Sequence, residues 1–296
     1  MQLIRSRLLD LKPALILFYL SATGFLCILA VQRYLGMPAD PIAGLCFTAF
    51  IFGIYTFNKF TDSAEDFAND IHKYAFFHGN PVFLGLAMAS VALSAGTLVF
   101  LERLNWLHML LIGTGVAYSV RILPWFDARG GFRVIRIKDV PLVKNLIVAM
   151  LWCTSVIAWP LLDGRGPVTP EAGAKLIPLG IGLFLLILNN TVIHDVMDEV
   201  GDRMARITTL PVLIGGRRTM AILFGLDLLW TGAMAGLWGT GGLDAGPAAF
   251  LAMLACFPAA YGALYISGKA SRATADFLSE TDLVVFSTGL LLLSAR

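Results

Sequence analysis

Residues 189–215 read NNTVIHDVMDEVGDRMARITTLPVLIG and follow a long apolar run. Within this stretch, Asp195, Asp198 and Asp202 recur at intervals of three and four residues. These intervals place the three carboxylates on one face if the segment is helical. Arg203 and a further arginine follow, and the sequence then becomes apolar again. The stretch therefore predicts a hydrophobic helix that ends in an acidic face.

An earlier stretch of the sequence, the first acidic stretch, has the same design as residues 189–215, the second acidic stretch. It reads Asn58-Lys-Phe-Thr-Asp62-Ser-Ala-Glu-Asp66 and also follows an apolar run. Its Asn58, Asp62 and Asp66 are four residues apart, so they would share one face of a helix. Two acidic helix ends predict a site that holds divalent cations between them.

The composition indicates an integral membrane protein. Of the 296 residues, 57% are hydrophobic and 14% are charged, and the mean hydropathy is +0.77. A soluble protein carries about 25% charged residues. The apolar runs are long and unbroken, which favours helices over the weakly alternating strands of a barrel. The basic residues lie in short loops, which disfavours nucleic-acid binding, and we expect one domain over residues 1–296.

The apolar runs predict an all-α bundle of nine membrane-spanning helices. Their ranges are 14–32, 41–58, 81–101, 105–121, 141–161, 176–194, 211–238, 247–267 and 282–295. Asp227 lies inside the seventh range, where we expect it to bond to a neighbouring helix rather than to act in catalysis.

Nine spans place the two termini on opposite sides of the membrane. If the N-terminus is cytoplasmic, 17 of the 22 Lys and Arg residues fall on the cytoplasmic side, as the positive-inside rule requires. Both acidic stretches and the basic loop 121–144 then lie on that side. We expect a multi-pass protein, in the inner membrane of a bacterium, whose site faces the cytoplasm.

The acidic faces suggest a phosphate-bearing substrate. Carboxylate and amide oxygens are ligands suited to Mg²⁺, which binds through a few carboxylates and substrate phosphates. The nearby lysines and arginines would pair with the remaining phosphate oxygens. Within an apolar bundle we expect the rest of the substrate to be a lipid, and an isoprenoid diphosphate has both a lipid part and a phosphate part. An ion or proton pathway is the alternative, but its carboxylates tend to lie near mid-span.

Taken together, these stretches resemble the motifs of the UbiA superfamily of intramembrane prenyltransferases. The first stretch is similar to the family's first Asp-rich motif. Asp195-Val-Met-Asp198-Glu-Val-Gly-Asp202-Arg203, with the following threonine-leucine-proline tail, resembles the second. Between them, Tyr118-Ser119 and Arg136-Ile-Lys138…Lys144-Asn145 resemble the family's tyrosine-serine pair and basic loop.

The resemblance implies a bundle around a central cavity that opens to the cytoplasmic side, with a lateral opening to the lipid. It implies two Mg²⁺ ions that bridge the diphosphate, with Asp62, Asp66, Asp198 and Asp202 as catalytic residues. The implied metal ligands are Asn58, Asp62, Asp66, Asp198 and Asp202. The implied substrate-binding residues are Asn58, Tyr118, Arg136, Lys138, Lys144, Asp195 and Arg203.

The expected activity is transfer of a prenyl group to an aromatic or other lipophilic acceptor, with membrane lipid around the protein. The same motifs also occur in superfamily members that cyclise the prenyl chain without an acceptor, so a terpene cyclase is the alternative. A lipid or ion transporter is a third possibility. The segment after Asp66 departs from the family pattern, because residues 69–81 contain no arginine. The loop after Ser119 departs as well, because Val120 and Arg121 stand where prolines are usual.

Overall fold

A computed structural model describes residues 2–61, 67, 70–126, 131–140, 143–163, 169–204 and 207–295. Within these residues the chain forms twelve α-helices and one two-stranded sheet. The helices are α1 (Gln2–Tyr34), α2 (Pro41–Thr61), α3 (Ile71–Gly79), α4 (Val82–Phe100), α5 (Trp106–Ser119), α6 (Val143–Asp163), α7 (Pro170–Met197), α8 (Glu199–Met204), α9 (Leu210–Ile214), α10 (Gly216–Gly239), α11 (Ala245–Ile266) and α12 (Arg272–Ser294).

Eight of the described helices are long and apolar enough to cross a membrane, which confirms a polytopic helical protein. They are α1, α2, α4, α6, α7, α10, α11 and α12. The ninth predicted span, 105–121, is the 14-residue helix α5. Its length of about 21 Å is less than the roughly 30 Å thickness of the hydrocarbon core.

Helix α5 nevertheless runs from one end of the bundle to the other. Just before it, Arg103 donates to Asp40 at the beginning of α2, with the two atoms 2.6 Å apart. At its last residue, Ser119 bonds to the side chain of Asn58 near the end of α2. Because the ends of α5 match opposite ends of α2, the described helices and their connections make nine passes.

Close helix packing explains why small residues occur inside the spans. A Cβ atom on Gly53 of α2 would come within 2.9 Å of the backbone oxygen of Ala87 in α4. The hydroxyl of Ser94 in α4 donates to the backbone oxygen of Cys46 in α2 over 2.8 Å. Such close approaches stabilise membrane helices, where apolar burial between helices contributes little.

Several predicted boundaries differ from the structure, mostly because hydropathy does not detect polar helix ends. Helix α7 begins at Pro170, six residues before the predicted 176, where the Thr169 hydroxyl caps the first turn. Helix α12 begins at Arg272, ten residues before 282, with Ser271 as its cap. The predicted span 211–238 is divided at Gly215, whose φ of 84° ends α9 and begins α10.

The loop between α5 and α6 contains secondary structure that the sequence did not predict. Strands β1 (Leu123–Phe126) and β2 (Phe132–Ile135) pair antiparallel. A short 3₁₀ helix, Ile137–Asp139, follows the hairpin. The expectation of an all-α protein therefore holds for the bundle, whereas this loop forms a small β-hairpin.

Two asparagines of α7 bind carboxylates of other helices inside the bundle. Asn189 donates to Asp227 of α10 over 2.7 Å, and Asn190 donates to Asp282 of α12 over the same distance. Both aspartates are buried. The expectation that Asp227 bonds to a neighbouring helix is confirmed.

Candidate active site

The C-terminal ends of α2 and α5 meet at one end of the bundle. Asn58 lies one turn before the end of α2, is half-buried, and bonds to the hydroxyl of Ser119 at the last residue of α5. Tyr118 is buried beside it. We call this end of the bundle, which carries Asn58, Lys144 and Asp195, the motif end. The predicted ligands Asp62 and Asp66, which follow α2 in the sequence, lie outside the described residues.

Arg136 connects the basic segment to the end of α2. Its guanidinium donates to the backbone oxygen of Thr61 over 2.9 Å, and it makes a close ion pair with Asp139 at 2.6 Å. A cation at this position stabilises the C-terminal end of α2, where carbonyl groups lack helical partners. Arg136 is therefore bonded to Thr61, the residue that precedes the predicted ligand Asp62 in the sequence.

Lys138 lies buried in the same segment, with its Nζ 5.6 Å from the centre of the Tyr118 ring. Burial first, and then the like charges of Lys59 and Lys144, lower the pKa of Lys138 to about 7, against the opposing effect of Asp139. The lowered pKa reflects the burial of Lys138 and its proximity to two other lysines. This is the electrostatic environment that a phosphate group would stabilise.

Asp195 joins the basic segment to the second acidic stretch. It is buried, and it accepts from Lys144 Nζ over 2.9 Å and from Asn145 Nδ2 over 2.7 Å. Both donors lie at the beginning of α6, whereas Asp195 lies near the end of α7. The predicted basic and acidic segments are thus in direct contact at the motif end.

Asp198 lies at a break in the helix. Helix α7 ends at Met197 and α8 begins at Glu199, although backbone bonds from Asp198 to His194 and from Asp202 to Asp198 preserve the helical spacing. The carboxylate of Asp198 pairs with Arg272, at the beginning of α12.

The two remaining residues of the second stretch face different surroundings. Asp202 is buried, with 3% of its surface exposed. Arg203 is largely exposed and pairs with Glu199 at 2.9 Å. The second carboxylate oxygen of Glu199 accepts from the backbone N–H of Gly216, which ties α8 to α10. Arg203 therefore points to the outer edge of the predicted site.

The three aspartates of the second stretch do not converge on one point. No group of three His, Cys, Asp or Glu residues suited to a metal occurs within the described part of the chain. Asp195 is paired with Lys144 and Asn145, and Asp198 with Arg272, as described above. A magnesium site at this end therefore needs oxygen ligands from elsewhere, and the predicted ligands Asp62 and Asp66 lie outside the described residues.

The donor set still fits Mg²⁺. The described candidates are the amide oxygen of Asn58 and the carboxylates of Asp198 and Asp202, and the outlying Asp62 and Asp66 add two carboxylates. All of these groups are hard oxygen ligands, and the set includes none of the His or Cys side chains that favour zinc. Mg²⁺ also retains water and phosphate ligands, so it does not require a complete protein cage.

Three contact residues were not predicted as site residues. Ser119 and Asn145 are each adjacent in sequence to a predicted residue, Tyr118 and Lys144, so proximity was a usable signal. Arg272 lies 74 positions from Asp198 and within no recognised stretch. Only the packing of α12 against α7 brings it to the site.

An apolar pocket extends from the motif end into the bundle between α2, α5 and α6. Asn58 and Tyr118 lie in its polar part, and the Trp152 indole donates to the Tyr55 hydroxyl over 2.6 Å within its wall. The residues that line it are Phe50, Ile51, Ile54, Tyr55, Asn58, Leu111, Gly115, Tyr118, Val148, Leu151, Trp152 and Ser155. A pocket with a polar mouth and an apolar interior suits an amphipathic substrate.

Solved structures with the same architecture come from two archaea. The apo structure of a UbiA homolog from Aeropyrum pernix K1 superposes with a TM-score of 0.61 over 94% of this chain and 97% of that chain, at 14% identity. A UbiA homolog from Archaeoglobus fulgidus bound to GPP and Mg²⁺ gives 0.61 over 97% and 98%, at 14% identity. Its structure with DMAPP and Mg²⁺ gives 0.59 over 94% and 99%, at 16% identity.

This chain has the UbiA fold. The match covers nearly the whole of each chain. No protein-family model matches the sequence, and no curated protein matches it either. The UbiA fold therefore confirms the resemblance at the level of architecture.

Proposed function

We propose that this protein is a Mg²⁺-dependent intramembrane prenyltransferase, formed by a single domain over residues 1–296. It ionises an isoprenyl diphosphate and transfers the prenyl group to an aromatic or other lipophilic acceptor. One observation carries the proposal. Contacts at one end of the bundle join the end of α2 at Thr61 and the end of α7 at Asp195 through a basic segment, within the fold of a homolog that binds GPP and Mg²⁺.

The acidic residues would hold two Mg²⁺ ions. Asn58, Asp62 and Asp66 form one face of the site, and Asp198 and Asp202 form the other. When bound, Mg²⁺ would neutralise the charge that develops on the leaving diphosphate. Asp195 supports the second face indirectly, because it fixes Lys144 and Asn145 against the end of α7.

The basic segment would hold the diphosphate. Lys138 and Lys144 lie at the motif end, where they would donate to phosphate oxygens. Arg136 stabilises the end of α2 and is positioned for the same role, and the Tyr118 ring positions Lys138. Of the predicted contacts, Arg203 would reach the diphosphate only from the exposed edge.

The apolar pocket would take the prenyl chain. Breaking the allylic C–O bond sends its electron pair to the diphosphate and leaves an allylic cation in the pocket. The pocket wall excludes water, which would otherwise capture the cation. The acceptor then forms a bond to the allylic carbon and loses a proton.

A terpene cyclase is the second candidate, and the pocket wall favours it. Phe50, Tyr55 and Trp152 present aromatic rings to the space where the cation would form. Aromatic faces stabilise cations, and a stabilised cation without an acceptor can close on its own double bonds.

Diphosphate release by the purified protein tests the proposal. Geranyl, farnesyl and geranylgeranyl diphosphate would each be supplied with and without Mg²⁺ and with and without a panel of aromatic acceptors. We expect Mg²⁺-dependent release that Asp62→Ala abolishes. The matched control is Glu171→Gln, which alters an exposed carboxylate at the opposite end of α7 and should behave like the wild type.

The products distinguish the candidates. A prenylated acceptor supports the transferase, whereas a hydrocarbon or alcohol formed without acceptor identifies a cyclase. The enzyme proposal would be overturned in favour of transport if the protein bound prenyl diphosphate without Mg²⁺ and released diphosphate from none of the donors.

A further inference from the structure

Arg272 makes two contacts with adjacent residues at the break between α7 and α8. One terminal nitrogen donates to the backbone oxygen of Met197 over 3.0 Å. The other pairs with Oδ1 of Asp198. The guanidinium is planar and rigid, so a fork on two neighbouring acceptors fixes their relative orientation.

The backbone of Asp198 is fixed independently. Its N–H donates to His194 and its carbonyl oxygen accepts from Asp202, each over 2.9 Å. Arg272 therefore determines the one remaining freedom of this residue, which is the orientation of the carboxylate. The Oδ2 atom of Asp198 accepts no hydrogen bond from any residue in the described ranges, so one oxygen is held and the other is available.

We propose that Arg272 is a positioning residue that makes Asp198 a single-oxygen metal ligand and thereby favours Mg²⁺ over Ca²⁺ at this site. The inference rests on the proposed function, because it takes Asp198 to be a magnesium ligand. Nothing in the second acidic stretch itself indicates this role, since Arg272 comes from the beginning of α12.

The preference follows from coordination chemistry. Mg²⁺ requires a nearly ideal octahedron and takes one oxygen from each carboxylate. Ca²⁺ accepts six to eight ligands and uses both oxygens of a carboxylate readily. With Oδ1 of Asp198 already accepting from Arg272, two-oxygen binding is disfavoured, and the larger ion loses part of a ligand that it would otherwise gain.

Metal binding by the full-length protein in detergent tests this role without measuring turnover. Calorimetric titrations with Mg²⁺ and with Ca²⁺ would be performed in the presence of geranyl thiolodiphosphate, which binds like a prenyl diphosphate but resists ionisation. Loss of a hydrogen bond to a metal-ligating group costs roughly 10- to 100-fold in metal affinity. We expect Arg272→Gln to weaken the binding of Mg²⁺ by about this factor. The affinity for Ca²⁺ should stay unchanged or increase.

Two further variants separate positioning from charge. Arg272→Lys retains the positive charge but cannot donate as a fixed fork to both Met197 and Asp198, so we expect it to recover little of the Mg²⁺ preference. Arg218→Gln removes an exposed arginine at the beginning of α10 and should leave both affinities unchanged.

The outcomes distinguish this inference from the proposed function. If wild-type protein binds Mg²⁺ and Asp198→Asn loses it, while Arg272→Gln keeps the wild-type ratio of the two ions, the positioning role is wrong and the proposed function stands. Equal losses for Mg²⁺ and Ca²⁺, or full recovery by Arg272→Lys, also contradict positioning. If the wild-type protein binds no Mg²⁺ beside the diphosphate, both are wrong.

Discussion

At the scale of single residues, Lys138 shows how the bundle prepares a site for an anion. The side chain is buried beneath the Tyr118 ring, and the charges of Lys59 and Lys144 act on it. A buried cation near other cations costs free energy unless an anion offsets it. The anion that fits the proposed function is the diphosphate.

The pKa of Lys138 leads to a prediction about binding. In the free protein the pKa is about 7, so the amine is mostly neutral above that pH. A bound diphosphate favours the charged form, so binding at higher pH must take up a proton. We therefore expect the contribution of Lys138 to the affinity for geranyl thiolodiphosphate to fall by up to about tenfold for each pH unit above 7.

The measurement compares wild type with Lys138→Met at constant free Mg²⁺ across this pH range. The ligand itself ionises in the same range, and both proteins experience that effect equally. The ratio of the two affinities therefore reports the contribution of Lys138 alone. This ratio should fall as the pH rises above 7 and approach a constant at high pH. A ratio that does not vary with pH would contradict the prediction.

At the scale of elements, α7 carries the links that hold the second half of the bundle together. Asn189 and Asn190 reach Asp227 of α10 and Asp282 of α12. Hydrogen bonds of this kind join membrane helices and contribute about 0.6–2 kcal/mol each. They fix α7, and with it the acidic end at Asp195 and Asp198, against α12.

Substitution of Asp227 tests whether this carboxylate is structural. Asp227→Leu removes the acceptor of Asn189, which keeps its second bond to the backbone oxygen of Ala255. We expect a loss of about 1 kcal/mol in stability, observed as a lower thermal midpoint in detergent, with Mg²⁺-dependent diphosphate release unchanged. Asp227→Asn retains an acceptor oxygen and should melt closer to the wild type.

The opposite pattern would support an ion pathway. If Asp227→Leu lost release or acquired altered ion permeability while its thermal midpoint stayed at the wild-type value, the carboxylate would have a functional role. The contacts of Asp227 with α7 would then be incidental to that role.

At the scale of the whole molecule, Asn58, the basic segment and the second acidic stretch occupy one end of the bundle. Helix α7 has 28 residues and is about 42 Å long, so its two ends lie on opposite sides of a bilayer. From the positive-inside rule we expect the motif end to face the cytoplasm.

Cysteine labelling tests this orientation. Arg203→Cys places a thiol at the exposed motif end, and Glu171→Cys places one at the other end of α7. We expect a membrane-impermeant maleimide to label position 203 only from the cytoplasmic side and position 171 only from the outside. The parent protein measures the background from its own cysteines, of which Cys27 and Cys46 are buried and Cys153 and Cys256 are partly exposed.

Labelling of both positions from one side would show that α7 does not span the membrane. Labelling of each from the side opposite to that expected would reverse the orientation, while leaving the architecture intact.

Local sequence determined the spans and the acidic ends. Hydropathy over about 20 residues reports whether a helix can be buried in lipid, and intervals of three and four residues report which side chains share its face. These properties need no knowledge of neighbouring helices. They located eight long spans, the short ninth pass and the spacing of Asp195, Asp198 and Asp202 in advance.

Tertiary structure alone decided which partners these side chains meet. Arg136 reaches Thr61 across 75 positions, and Arg272 reaches Asp198 across 74. Such contacts depend on which faces of α2, α7 and α12 pack together. A hydropathy pattern does not fix those faces, because lipid and a neighbouring helix are equally apolar.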